Sequence, residues 1–328
     1  LGVRRQRQMC IRDRNNTYIF ITVNKKQQIK NLFLFIPDNY MNRLKLNITN
    51  EVNQLQSVIL GIANSFGSEP SLENCIDPKT KYFVKKGKFP LESDCKSEIK
   101  NFNEVLVKNG VKVLRPKNID GLNQIFTRDI GFVIENKFFI SNTIKQRGKE
   151  KEGIKNYLNE VGINNLITIP EDIKVEGGDV IVHDEFIFMG ISSKEDSNLR
   201  VSRSQIKAVE FIKDVFPEKR VIGLELFKSD DNPYDNILHL DCTMQPIGNN
   251  RVIIFKDGFR KSSDKKLLDE IFGEENLINI TRDEMFDGCS NIFSINENVI
   301  VSDRTFKRLN DTLRAVSYTH LRAHETYP

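Results

Sequence analysis

The chain has 328 residues, of which 39% are hydrophobic and 29% charged, a balance typical of a soluble globular protein with a sizeable core. No apolar run is long enough to span a membrane, and no secretory signal follows the basic start, so we expect neither a membrane anchor nor export. The five cysteines are scattered without metal-type spacing, which favours reduced thiols and a cytoplasmic location.

The net charge of +4 lies at the two ends of the chain. Five arginines against one aspartate fall in the first 14 residues, and two arginines against one glutamate fall in 314–328. Without these ends the formal charge is about −1, which leaves no basic excess to neutralise phosphates. The charge pattern therefore argues against nucleic acid as a partner.

Both ends also lack the hydrophobic periodicity of the rest of the chain. Residues 1–14 and 315–328 resemble translated read-through, and the Asn-, Lys- and Ile-rich stretch up to Tyr40 resembles translated noncoding sequence. Met41 is a plausible start. We therefore expect residues 1–40 and 314–328 to be extraneous or disordered, with a single domain over 41–313.

Regular patterning begins with a predicted strand at Leu55–Ile62, a helix at Leu91–Asn109 and a short strand at Val111–Leu114. After that, the order hairpin, helix, strand recurs. The hairpins are predicted at 130–140, 180–189, 238–255 and 291–301, the helices at 153–161, 202–215, 264–272 and 305–313, and the closing strands at 166–169, 221–226 and 277–280. Ser202 and Gln205 form an expected capping box at the start of the helix at 202–215.

A repeat of about 50–65 residues is typical of radial or solenoid arrays. The domain begins with a lone strand and ends on a lone helix, so each end supplies part of one further unit. We therefore predict an α/β fold, a ring of five ββαβ units forming a propeller, with its final unit incomplete.

The stretch from Leu238 to Cys242 is predicted to be an extended strand. Side chains alternate between the faces of a strand, so His239 and Asp241 share one face and Leu240 and Cys242 the other. An imidazole beside a carboxylate can carry a proton and attract a cation. The alternative is a hydrogen-bonded structural histidine.

Polar residues precede every hairpin, and in a ring these positions converge on the axis. Asp129, Glu176, His239 and Asp241 would then line one central pocket. Three acids and one imidazole make a poor zinc site and lack the carbonyl-rich loops of a calcium site, so we expect no metal and no cofactor. A planar guanidinium, whose forked donors match carboxylates two at a time, fits such a pocket better.

Three motifs in order, F-T-R-D at 126–129, E-G-G-D at 176–179 and H-L-D-C-T at 239–243, resemble those of the guanidine-modifying (pentein) superfamily. It contains arginine deiminases, dimethylarginine dimethylaminohydrolases and amidinotransferases. The resemblance covers about 53–313 and implies a propeller-like catalytic domain acting on a small guanidine compound.

The resemblance also implies site roles. Asp129 and Asp241 would grip the guanidinium, and His239, oriented by Glu176, would be the general acid and base. Arg203 and Arg147 would bind the carboxylate of the substrate, and the Gly177-Gly178 pair would allow close backbone approach. The alternatives are a local cap for Asp129, a plain loop for the E-G-G-D motif, and solvated surface arginines at 203 and 147.

The family's nucleophile is a cysteine after a glycine-rich turn, expected one strand beyond the helix at 305–313. Cys289 is the only candidate before that point, although its position matches a structural place in the family, and Cys242 is expected to face the core. We therefore expect the present chain to lack activity that its full-length parent has.

The leading hypothesis is a cysteine hydrolase that acts on arginine or a substituted arginine through a covalent thiouronium intermediate. An amidinotransferase is the nearest alternative, because His239 to Thr243 followed by P-I-G at 246–248 also resembles that branch. A non-catalytic guanidine-binding protein is the alternative from another class. The sequence leaves the oligomeric state open.

Overall fold

The computed structural model describes residues 44–316, and the backbone of three short segments at 9–12, 18–21 and 319–322. The chain divides into two compact units, 1–42 and 43–328. In the first unit, strand β1 (Met9–Arg12) pairs antiparallel with β2 (Tyr18–Ile21). The rest of the segment predicted to be extraneous lies outside the described residues, so that division of the chain stays a prediction.

The second unit opens with β3 (Ser57–Ile59), helices α1 (Pro78–Lys85) and α2 (Glu92–Lys108), and β4 (Lys112–Leu114), which runs parallel to β3. Helix α1 lies in a stretch where the sequence predicted only a loop. The remaining strands are β5 (Gly131–Ile134), β6 (Lys137–Ile140), β7 (Leu166–Thr168), β8 (Val180–His183), β9 (Phe186–Ser192), β10 (Arg220–Leu226), β11 (Met244–Ile247), β12 (Arg251–Ile254), β13 (Leu277–Asn279), β14 (Phe293–Asn296), β15 (Val299–Ser302) and β16 (Thr319–Arg322). The remaining helices are α3 (Thr127–Ile130), α4 (Lys155–Val161), α5 (Ile206–Val215), α6 (Ser262–Phe272), α7 (Arg282–Asp287) and α8 (Lys307–Ala315).

Among the residues that the structure describes, the predicted repeat of hairpin, helix and strand is present four times. In each copy an antiparallel hairpin is followed by a helix and by a third strand parallel to the second, giving the sheets β5-β6-β7, β8-β9-β10, β11-β12-β13 and β14-β15-β16. The last copy differs from expectation, because β16 pairs with the free edge of β15 and supplies the strand thought to be missing. The described strands form separate sheets rather than a closed ring, so ring closure is not shown.

Short hairpin turns fix the register of the first three repeats. Glu135, Asp184, Asn249 and Asn250 have φ values of 51°, 52°, 56° and 56°. This left-handed backbone matches the twist of two-residue hairpin turns, and Asn and Asp adopt it readily. Because one residue of slip would turn every buried side chain outward, these turns set which residues enter the core.

Helix α5 begins later than predicted. Its apolar face was expected to bury Ile206, Val209 and Ile212. Val209 and Ile212 are buried, but Ile206 is 53% exposed. Gln205 is the N-cap and its side chain makes no capping hydrogen bond, so the predicted capping box is wrong. A capping box does occur at α7, where the Thr281 hydroxyl accepts from the backbone N–H of Glu284 and the Glu284 carboxylate accepts from that of Thr281.

The stretch around His239 is not the predicted strand. His239 is extended, but Leu240–Cys242 forms a single 3₁₀ turn, and β11 begins only at Met244. The cause is a side-chain acceptor in place of a backbone acceptor from a neighbouring strand: the N–H of Leu240 donates to Asp179 Oδ1 at 3.0 Å. Leu240 and Cys242 nevertheless face the main apolar cluster, as predicted. None of the described helices is long and apolar enough to cross a membrane.

Candidate functional site

Three residues from separate repeats meet in the interior. Asp129 lies in α3 just before β5, Glu176 just before β8, and His239 just before the turn that leads to β11. Their exposed fractions are 7%, 0% and 4%. The Nε2 atom of His239 lies 2.9 Å from Glu176 Oε2, and its Nδ1 atom lies 3.8 Å from Asp129 Oδ1. With Arg147, described below, these residues form the charged cluster.

The glycine pair at 177–178 is required by close packing. A Cβ on Gly177 would lie 2.1 Å from the carbonyl oxygen of Arg128. A Cβ on Gly178 would lie 2.7 Å from Asp129 Oδ1 and 2.9 Å from the His239 ring. Any side chain here would push the acid and the imidazole apart, which agrees with the predicted close backbone approach.

Asp241 lies beside the cluster and contacts an arginine. Its Oδ2 atom is 3.2 Å from Nε of Arg128. Arg128 also lies 3.3 Å from Glu51 Oε2 and donates to the carbonyl of Val180 at 3.0 Å. Asp241 therefore shares a cation with Glu51, a residue that sequence reasoning missed because it is 77 positions away from its partner.

Arg147 is buried in the charged cluster and is not part of a solvated charge run. Its Nη1 donates to Asp129 Oδ2 at 2.6 Å and to Glu176 Oε2 at 3.3 Å. Its Nε and Nη2 bond to the two oxygens of Glu150 at 2.9 and 2.7 Å. The surrounding lysines on the same segment gave no signal that this one cation turns inward.

Arg203 is not inside a helix, as the sequence predicted, but three residues before α5 begins. It is only 1% exposed, which rules out a solvated surface residue. Its guanidinium donates to the carbonyls of Arg200 at 2.6 Å and Ile76 at 3.4 Å, and its Nε lies 3.5 Å from Glu176 Oε2. Glu176 therefore faces three cations.

These charges perturb one another strongly. Burial alone would lower the pKa of His239, but the carboxylates of Asp129, Glu176 and Asp179 outweigh it and raise that pKa to about 9. Burial would raise the pKa of Glu176, yet His239 and the two arginines hold it well below its usual range. Burial raises the pKa of Asp241 to about 6, against the opposing charge of Arg128. At neutral pH the cluster therefore holds an imidazolium against the ionised carboxylate of Glu176.

A second layer of polar groups supports the cluster and was missed from the sequence. Asp179 Oδ2 accepts from the Ser204 hydroxyl at 2.6 Å, and that hydroxyl accepts from the backbone N–H of Glu176 at 3.2 Å. Lys228 donates to two backbone carbonyls next to His239. Asp179 stood in a recognised motif, whereas nothing around Lys228 in the sequence distinguishes it from a surface lysine.

Asp129, Glu176 and His239 place ligand atoms within 4.8 Å of one another, which is a spacing that could hold a metal ion. However, the Arg147 guanidinium lies 2.6 Å from one of these carboxylates and 3.3 Å from the other. A cation already neutralises the two acids, so the donor set fits a divalent ion poorly. The absence of a metal requirement stays a prediction.

Neither predicted cysteine is an activated thiol. Cys289 is buried in the main apolar cluster, and burial together with Glu284 and Asp287 raises its pKa to about 12. Burial likewise raises the pKa of Cys242, with Asp241 adding to the effect. Both thiols are protonated at neutral pH, which agrees with Cys242 as a core residue and weakens Cys289 as a nucleophile.

The fold and the order of its motifs define the class of this protein, the pentein superfamily of guanidine-modifying enzymes. Residues 71–323 match the family model described as eukaryotic N,N-dimethylarginine dimethylhydrolase. The chain therefore belongs to that family.

The chain is also similar to individual known proteins. The uncharacterised protein YkgA of Bacillus subtilis (strain 168) is 30% identical over 217 residues, which cover 66% of this chain and 68% of YkgA. The amidinotransferase SxtG of the saxitoxin pathway from Microseira wollei superposes with a TM-score of 0.67 at 16% identity, covering 84% of this chain and 91% of that one. The product-bound N-terminal domain of ArgZ, an arginine dihydrolase of the cyanobacterial ornithine-ammonia cycle, gives 0.64 at 15%, covering 83% and 90%. At such identities the two structures show the shared fold alone.

Proposed function

We propose that this protein binds the guanidinium group of arginine or a substituted arginine for hydrolysis through a cysteine thiolate. The observation that carries the proposal is the guanidinium that the site already holds, because the buried side chain of Arg147 contacts Asp129, Glu150 and Glu176. Acids arranged around a planar, forked cation are the chemistry that recognises a guanidine compound. We also propose that the β3-β4 pair and the four three-stranded sheets form a ring of five units around this site.

In the proposed reaction, Asp129 and Asp241 hold the guanidinium of the substrate. A cysteine thiolate forms a bond to the guanidinium carbon, and His239, protonated at neutral pH, gives its proton to the departing nitrogen. The neutral imidazole then takes a proton from water, which attacks the thiouronium carbon and displaces the thiolate, leaving a ureido product. Glu176 keeps the ring in place through its contact with Nε2.

The proposed carboxylate-binding role of Arg147 and Arg203 is the least supported part. Arg147 contacts acids through all three of its nitrogens, and Arg203 donates to main-chain carbonyls. The role therefore stays a prediction, and it has a direct test. Agmatine lacks the carboxylate of arginine, so Arg203→Met should weaken arginine binding and leave agmatine binding unchanged.

The decisive experiment is calorimetric binding of arginine, methylarginine and agmatine to the purified chain, with an assay for ureido product in parallel. We expect binding without turnover, because Cys242 and Cys289 are both protonated core thiols at neutral pH. Turnover by this chain would contradict the expected inactivity, and failure to bind any guanidine compound would overturn the proposal.

The coding sequence should also be extended past Leu313 to look for a cysteine after a pair of glycines. With that cysteine present, ureido product identifies a hydrolase, and amidino transfer to an added amine identifies a transferase. Binding without either reaction identifies a guanidine-binding protein.

A further inference from the structure

Lys228 is a buried lysine that the proposed chemistry does not use. It follows strand β10 and is only 8% exposed. Lysine is rarely buried to this extent without partners, because its ammonium group is strongly hydrated in water. Burial lowers the pKa of Lys228, and the nearby carboxylate of Asp179 opposes that effect.

The hydrogen bonds of Lys228 go to the backbone that leads into His239. Its Nζ donates to the carbonyl oxygens of Ile237 and Leu238, both at 2.8 Å. On the other side of His239, the N–H of Leu240 donates to Asp179 Oδ1 at 3.0 Å. The imidazole is thus attached to a segment held at both flanks by buried charged groups of opposite sign.

The same network reaches the partner of His239. Asp179 accepts from the Ser204 hydroxyl, which accepts from the backbone N–H of Glu176. The 2.9 Å contact between His239 and Glu176 is therefore fixed through the main chain of both residues. A 3₁₀ turn of three residues offers little rigidity of its own, so these outside contacts determine where the ring lies.

We propose that Lys228 is a positioning residue: it fixes the backbone of 237–238 so that the His239 ring stays between Glu176 and Asp129. This inference adds a residue to the proposed function. If Lys228 acted only through its positive charge, its removal would change the pKa of His239 in the opposite direction. Removing only a nearby positive charge would raise the pKa of His239, whereas releasing the ring from its carboxylates lowers that pKa towards 6.5.

The test is histidine titration by NMR in the full chain carrying labelled histidine, with His239→Gln used to assign the signal. In Lys228→Met, which removes the charge and the donors at similar volume, we expect the pKa of His239 to fall by about one unit or more. We also expect arginine affinity to fall about tenfold. Lys228→Arg, which keeps the charge and can bond both carbonyls, should recover most of each loss.

Lys137→Met is the matched control, because Lys137 also donates to a backbone carbonyl, that of Asn164, away from His239. It should leave the His239 titration unchanged, and the His183 signal should not move in Lys228→Met. An unchanged or raised pKa of His239 in folded Lys228→Met overturns the proposal. If that variant does not fold, Lys228→Gln is judged by the same criterion. Failure of the wild-type chain to bind guanidines would contradict the proposed function, but the titration of His239 would still test the role of Lys228.

Discussion

Two histidines at opposite ends of their hairpins show how strongly position in the repeat affects the pKa of the side chain. His239 precedes β11 and lies among carboxylates, which raise its pKa to about 9. His183 ends β8, packs against Phe272 with a tilted ring at a centroid distance of 5.0 Å, and has a pKa lowered by burial. The same side chain is therefore an imidazolium at one end of a hairpin and a neutral ring at the other.

The difference extends to the acids around them. The residues that begin the hairpins are buried and bound to opposite charges, as Asp129 and Glu176 are. Those at the turns, Asp184 and Glu185, are exposed. A repeated unit thus has one end where charges are buried and paired and one end where they are solvated, and charges interact more strongly where water is excluded. The following experiments test that contrast.

The largest effect is expected from Glu176→Gln. This change leaves His239, Arg147 and Arg203 facing a neutral amide in a dry site, and breaking a buried ion pair from one side costs about 3–5 kcal/mol. Chemical denaturation would measure the loss in unfolding free energy. Glu185→Gln at a turn should change it by less than about 0.5 kcal/mol. Equal losses for the two variants would remove the distinction between the ends.

The contributions of the two histidines to the free energy of unfolding should depend on pH with opposite sign. The pKa of His239 is raised by folding, so its contribution is full below pH 6.5 and is lost as the pH rises to about 9, on the order of 3 kcal/mol. The pKa of His183 is lowered, so its contribution is lost as the pH falls below 6.5. Unfolding curves for His239→Gln and His183→Gln, each subtracted from wild type, should show these two slopes. Parallel slopes would contradict the assignment.

Guanidine binding should depend on the ionisation of Asp241. Burial raises its pKa to about 6, so the acid becomes neutral below that pH and should release a cationic ligand. We expect arginine affinity to rise about tenfold between pH 5 and pH 7 and then to level off. Asp241→Asn should bind weakly and flatten this part of the profile. A variant that retains the wild-type rise would assign the titration to another group.

The smallest effect is expected from Glu51→Gln. Glu51 draws part of the charge of Arg128 away from Asp241, so its loss lets Arg128 compete more strongly with a bound guanidinium. Because the contact is partly exposed, we expect arginine affinity to fall only about threefold. Calorimetry at pH 7 would measure it, with Glu135→Gln at a hairpin turn as the control. A tighter complex in Glu51→Gln would reverse the proposed direction.

Much of the repeat could be predicted because alternating apolar residues and turn residues are local signals. The hairpin at β5 and β6 was placed within one residue, and α6 within two. The start of α5 was misplaced because Ser202 and Gln205 match a cap by spacing alone, while the helix begins only at Ile206. Helix α1 was missed because its proline, at the first helical position, read as a loop signal.

By itself, the sequence determined the repeated unit and which polar residues begin each hairpin, since both follow from spacing along the chain. Only the tertiary structure decided that Arg147 turns inward to Asp129, that Glu51 shares Arg128, and that Lys228 holds the carbonyls before His239. In the sequence, nothing distinguishes these charged residues from charged residues on the surface. Whether a charge is solvated or paired depends on which acids lie within a few ångströms after folding, and that distance has no local signature in the chain.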